Sequence, residues 1–147
     1  MTPQLKRVTP PNAAARWFSR VVWLGIVFNL FFVAMQVFAP DFINVAVGLS
    51  PGFPTVWNVA HGIMVLALSI LYIPAALDPL RYPGYSWMLV VSRLVAALLW
   101  TWCLASGQGA FGSYLAMDGG FCILQAILLQ AALPATEKRY LNHPKFK

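Results

Sequence analysis

The sequence predicts an all-α integral membrane protein, a four-helix bundle with both termini cytoplasmic. Three observations predict it. Of 147 residues, 60% are apolar and 10% are charged, against roughly 25% charged in an average soluble domain. A water-soluble globule of this size would lack polar surface to cover itself. The apolar residues gather into four stretches close to the length that crosses a bilayer. The Lys and Arg residues gather outside alternate ends of those stretches.

Residues 1–20 form a basic N-terminal segment containing Lys6, Arg7, Arg16 and Arg20. The first span follows at about 21–39. A basic stretch before an apolar run ending Val37-Phe38-Ala39 has the order of a secretory signal. The run is longer than a signal core of roughly 7–15 residues, and Pro40 would follow the cut. An uncleaved signal anchor is expected.

The remaining spans are expected at about 56–77, 86–105 and 118–133. At a rise of about 1.5 Å per residue, about 19 to 22 residues cover a hydrocarbon core of about 30 Å. The shorter fourth span extends into the polar tail beyond Pro134. Residues 21–134 thus make one domain, and residues 135–147 make a basic tail with Lys138, Arg139, Lys145 and Lys147.

Orientation follows from the cations. Nine of the ten Lys and Arg residues fall before the first span, in the turn holding Arg81, or after the fourth span. The tenth, Arg93, lies near the same end of the third span. The 40–55 and 106–117 loops contain none. Short positive segments stay on the cytoplasmic side of a bacterial-type inner membrane, so Asp41 and Asp118 are expected at the outer face. The net charge of +6 is split among three segments without an aromatic platform between them. Attraction to anionic membrane lipids accounts for it, and nucleic acid is not an expected partner.

The outer loops are too apolar to stand in water. Pro40–Thr55 carries Phe42, Ile43, Val45, Val47, Leu49 and Phe53, which predicts a short amphipathic or re-entrant segment over the helix ends, or a surface covered by a partner. Gly107–Gly120, with Phe111 and Tyr114, reads as a lid close to the membrane. Trp23, Trp57, Trp87, Trp100 and Trp102 lie toward span ends, as an aromatic belt does; a quinone or pigment stack is the other use of such rings.

Polar residues within spans cost free energy unless satisfied or useful. Asn29 and Gln36 share a face of the first span. Asn58, His61, Val65, Ser69 and Tyr72 form a stripe at spacings of three or four, and Asp118, Cys122 and Gln125 form another. Gln36, Asn58, His61, Asp118, Cys122 and Gln125 all fall in the expected outer third. The set reads either as interhelical hydrogen-bonding glue or as one polar pocket with His61 as base and Asp118 as acid.

Arg93 is the costliest residue. A snorkelling guanidinium paired with Asp78 in the preceding Pro- and Gly-rich turn is expected to form a structural clamp; a lipid phosphate or quinone head group is the alternative partner. Pro74 is expected to bend the second span. Cys103 and Cys122, both expected near outer ends, read as packing thiols or a disulfide, and no metal-ligand spacing is present. A bis-His heme lacks its second intramembrane His, since His143 is in the tail, so heme is expected only if shared with another subunit. Exporter, hydrolase and nucleotide-binding signatures are also missing.

The runs Trp57-Asn58-Val59-Ala60-His61-Gly62 and Tyr72-Ile73-Pro74-Ala75-Ala76-Leu77-Asp78-Pro79-Leu80-Arg81-Tyr82, then Arg93, then Asp118-Gly119-Gly120-Phe121 resemble small uncharacterised four-helix bacterial inner-membrane proteins. Those carry an Asp-Pro-x-Arg cytoplasmic turn, a basic residue in the third span and an Asp opening the fourth. The resemblance covers about two thirds of the chain and implies the architecture without a reaction. His61 has no counterpart in that pattern.

The functional expectation is a non-catalytic integral membrane subunit or accessory protein of a larger inner-membrane assembly, of the electron-transfer, respiratory or photosynthetic kind, with other membrane subunits as partners. The rivals are a protein binding quinone, lipid or a shared heme, and a small membrane redox enzyme using His61 and Asp118.

Overall fold

A backbone that crosses hydrocarbon must satisfy its N–H and C=O groups within the protein, and this chain does so as helix. The computed structural model describes residues 12–46, 48–50, 54–107 and 111–141, with side chains through residue 133. Its elements are α1 (Ala13–Phe38), α2 (Pro40–Ala46), α3 (Thr55–Leu77), α4 (Pro83–Ala105) and α5 (Gly112–Leu141). Helices α1, α3, α4 and the Gly112–Leu133 part of α5 are long and apolar enough to span a membrane. The protein is a multi-pass membrane four-helix bundle. The basic residues expected at 1–11 and 134–147 lie outside the described side chains.

Three helix starts lie earlier than the hydropathy alone suggests. Helix α1 begins at Ala13 because Asn12 caps it: the Asn12 Oδ1 accepts from the Ala15 N–H at 2.8 Å, and its Nδ2 donates to the Ala132 carbonyl at 3.2 Å. Helix α4 begins at Pro83, a residue whose fixed φ and missing N–H suit a first turn. Helix α5 begins at Gly112, so the 112–118 stretch expected in a lid is helical. Glycine weakens a helix by about 1 kcal/mol in water, but an unsatisfied backbone group in lipid costs several, and the second effect wins. Asp118 therefore lies within the span instead of opening it.

Helix α1 packs against α3 and α5, and α4 packs against α5 and α3, closing an up-down-up-down bundle. Its two ends differ. At the end holding the 78–82 turn, Phe18, Val22, Ile26, Tyr72, Ala75, Ala76, Leu89, Val90, Cys122 and Leu129 form a continuous core. The turn is fixed by Asp78, whose carboxylate accepts from the Arg81 N–H, and by the buried Ser86 hydroxyl, which donates to the Pro79 carbonyl at 3.1 Å. Helix α3 runs through Pro74 to Leu77, and the Ser19 hydroxyl donates to the Ala76 carbonyl just beyond it. At the other end, α2 lies across the helix ends with Ile43 and Asn44 turned inward and buried, as the apolar loop predicts.

Only 28% of each spanning window is buried. Phe31, Ile63, Leu98 and Ile127 are each at least 60% exposed. Such a surface is stable facing acyl chains and an aggregation hazard in water.

Candidate functional site

Apart from Ser86 in the turn and Gln125 on α5, the buried polar residues fall into two groups, one in the middle of the bundle and one under α2. The first is centred on Arg93, near the middle of α4 and only 7% exposed. Its backbone stands about 15 Å along the axis from Pro83, and its guanidinium turns to α5 and not to Asp78. The expected Asp78–Arg93 clamp is corrected: Arg93 Nη1 pairs with Asp118 Oδ1 on α5. Asp78 instead caps its own turn. The physical reason is the earlier start of both helices, which moves Arg93 and Asp118 to matching depths.

The pair extends across the bundle. Arg93 Nη2 donates to Asn29 Oδ1 at 3.1 Å, and Asn29 Nδ2 donates to Ser69 Oγ at 3.0 Å. Trp100 Nε1 donates to Asp118 Oδ2 at 2.9 Å. All four spanning helices contribute. The guanidinium also lies 5.3 Å from the Phe121 ring centroid and 5.9 Å from that of Tyr72, positions favourable for a cation over an aromatic face. Tyr72 is itself anchored to Ser92 at 2.6 Å. Gly25 makes room for the cation: a Cβ there would stand 3.3 Å from Arg93 Nη2. An isolated guanidinium is costly in hydrocarbon, and these partners offset that cost for Arg93 inside the span.

The second group lines a partly open cavity of about 180 Å³. Gln36, Asn44, Asn58 and His61 supply its polar groups, and Phe32, Trp57, Trp100, Phe111 and Tyr114 supply rings. Gln36 Nε2 lies 2.7 Å from His61 Nδ1, and Asn58 Nδ2 donates to Asn44 Oδ1 at 3.1 Å. The side-chain amide of Gln36 thereby fixes the orientation of the His61 ring. Two buried atoms at this site, Gln36 Oε1 and Asn44 Nδ2, have no hydrogen-bond partner among the described residues. Buried amides of this kind are nearly always paired. The rings interlock: Trp100 stacks on Phe111 with centroids 5.1 Å apart and planes at 18°, and Phe32 meets Tyr114 and His61 edge to face.

Of the six residues expected to converge, Gln36, Asn58 and His61 meet in this cavity. Asp118 touches it only through Trp100. Cys122 packs in the apolar core with its thiol 3.6 Å from the Val90 carbonyl, and Gln125 is buried near Gly25. The early start of α5 is again the reason, because it sets Cys122 and Gln125 deeper than the outer third. Cys103 and Cys122 are both free. Among the described residues no group of three or more His, Cys, Asp or Glu side chains is placed to hold a metal.

Three contributors were not singled out from the sequence as parts of a site. Asn44 sits in a loop by pattern and becomes a wall by tertiary folding. Gly25 stands one turn before Asn29 on the same face, a spacing that was there to be read. Trp100 has the sequence position of a belt residue; Trp23, Trp57, Trp87 and Trp102 are exposed as a belt requires, whereas the Trp100 indole N–H is bonded to Asp118.

No protein-family model matches the chain, and no curated protein or solved structure matches it.

Proposed function

We propose that the protein is a non-catalytic membrane component that holds the neutral head ring of a quinone or quinol in the cavity beneath α2, as an accessory part of a bacterial inner-membrane electron-transfer assembly. The observation that carries the reading is the lining. An unpaired acceptor, Gln36 Oε1, and an unpaired donor, Asn44 Nδ2, belong to residues set among aromatic rings. No Lys, Arg, Asp or Glu is among the described residues lining the cavity. A lipid phosphate calls for a cation that the lining lacks. Heme calls for a pocket nearer the roughly 300–1,000 Å³ range of cofactor sites. A single ring bearing hydroxyl or carbonyl groups suits the volume, the stacking surfaces and the orphaned amides together.

The redox-enzyme reading loses its acid, since both Asp118 oxygens are engaged by Arg93 and Trp100. A role as a subunit draws support from Phe38, Phe42, Val45 and Trp57. These lie 84%, 64%, 59% and 63% exposed around α2, an apolar patch that a neighbouring subunit would cover. Arg16, Arg20 and Arg81 all lie at the turn end, which supports a cytoplasmic placement of that end.

The test is titration of the purified protein in lipid nanodiscs with duroquinone and its quinol, alongside the Asn44→Leu variant, which removes the orphan donor and fills space. Saturable binding weakened at least tenfold in the variant is expected. Absence of saturable binding, or equal affinity in a folded variant, overturns the reading. Native mass analysis of particles extracted from membranes checks the assembly: a stoichiometric partner is expected, and a bare chain overturns the subunit part.

A further inference from the structure

Trp100 belongs to both polar groups. Its indole ring is part of the cavity wall, stacked on Phe111, tilted against Tyr114 at 5.5 Å and edge-on to His61 at 6.3 Å between centroids. Its N–H, the only hydrogen-bonding group the side chain has, is given to Asp118 Oδ2 at 2.9 Å. Neither Asp118 nor Arg93 lines the cavity.

The carboxylate ties the two together mechanically. One Asp118 oxygen faces the Arg93 guanidinium and the other faces the indole, so a rotation that releases one releases both. Arg93 is in turn fixed by Asn29, and Asn29 by Ser69, so the carboxylate's orientation is set from all four spanning helices. In a low-dielectric interior such charge-assisted bonds are strong and mutually reinforcing. Ring contacts alone do not fix an indole's azimuth so well, because stacked and tilted arrangements are close in energy. Arg93, Ala97 and Trp100 follow one another on one face of α4, with Ala97 buried, so Asp118 meets two side chains of a single face.

We propose that Trp100 is a positioning residue through which the intramembrane Arg93–Asp118 pair sets the shape of the outer cavity and thereby its affinity for a ring ligand. The affinity part rests on the ligand reading above; the wall part does not. The consequence is that ligand affinity depends on a charge pair the ligand never touches.

Two readouts separate these parts. In the protein without ligand, hydrogen exchange of the Trp100 indole N–H, identified by its loss in Trp100→Phe, is expected to quicken at least tenfold in Asp118→Asn, and the Trp100–Phe111 ring contacts to weaken in nuclear Overhauser spectra. Unchanged exchange and unchanged ring contacts overturn the proposal. With duroquinone, Trp100→Phe, which keeps an aromatic wall and the ion pair while deleting the N–H, is expected to weaken binding about tenfold. Adding Asp118→Asn to it is expected to weaken binding little further, since both changes break one bond and their effects do not add. Full affinity in Trp100→Phe, or multiplicative losses in the double variant, overturns the coupling. If Asp118→Asn does not fold, Trp100→Phe alone decides the affinity claim, and the ring contacts of Phe111 in that variant decide the wall claim. If the native protein binds no duroquinone while the exchange result holds, the ligand reading and the affinity claim fail together and the wall claim stands.

Discussion

The two ends of the bundle are held by different forces. The turn end is a packed apolar plug in which Phe18 and Leu129 are fully buried among small residues such as Ala75 and Ala76. The middle and the loop end are held by side-chain hydrogen bonds running from Ser69 through Asn29, Arg93 and Asp118 to Trp100, and by the amide pairs under α2. In a bilayer, lipid tails are as apolar as leucine, so association of helices rests on close packing and interhelical polar bonds. Here the two contributions are separated along the axis. The cavity end leaves two amide atoms unpaired beside a space, Gln36 Oε1 and Asn44 Nδ2, whereas the one orphaned amide in the packed part, Gln125 Oε1, is enclosed by side chains.

The comparison breaks most sharply at the ion pair. Asp118→Leu leaves a guanidinium uncompensated inside the span and is expected to cost about 3–5 kcal/mol, while the double variant Arg93→Leu with Asp118→Leu recovers most of that. Unfolding in mixed micelles measures both. A single variant costing under about 1 kcal/mol would mean that the polar group contributes little to holding the helices together. At the opposite end, Phe18→Ala is expected to cost about 3 kcal/mol through a packing void and to leave the cavity's ring contacts intact; loosened Trp100–Phe111 contacts in its spectra would join the two ends that the comparison separates. The smallest expected effect is that of Ser69→Ala, which deletes one neutral link at the far end of the network. About 0.6 kcal/mol is the usual scale for such a bond, and a loss near that of Asp118→Leu would show the network to be far more cooperative than its separate bonds.

Much of the helical pattern was legible along the chain because helical periodicity is local. The stripe Asn58, His61, Val65, Ser69 and Tyr72 faces inward largely as its spacing predicts, with Asn58, Ser69 and Tyr72 buried, and the spacing of Asn29 and Gln36 likewise puts both on the buried face of α1. What the stripes do not contain is depth. Hydropathy, which marks helix ends along the chain, is blind to the Asn12 cap and to glycines held helical by surrounding lipid. An error of several residues in a start is an error of several ångströms along the axis. That displacement separates an Arg93 near Asp78 from the observed Arg93 paired with Asp118.

The sequence by itself determined that this is a helical protein with four membrane spans and which face of each span carries polar groups, because composition and a period near 3.6 residues act through nearest neighbours. Only the tertiary structure decided which polar group meets which. Pairing depends on where four antiparallel helices fall relative to one another, and that register is fixed by contacts between residues as far apart as Asn29 and Arg93. The same long-range packing brought Asn44 from a loop into the cavity wall and drew Trp100 away from the membrane interface to the Asp118 carboxylate.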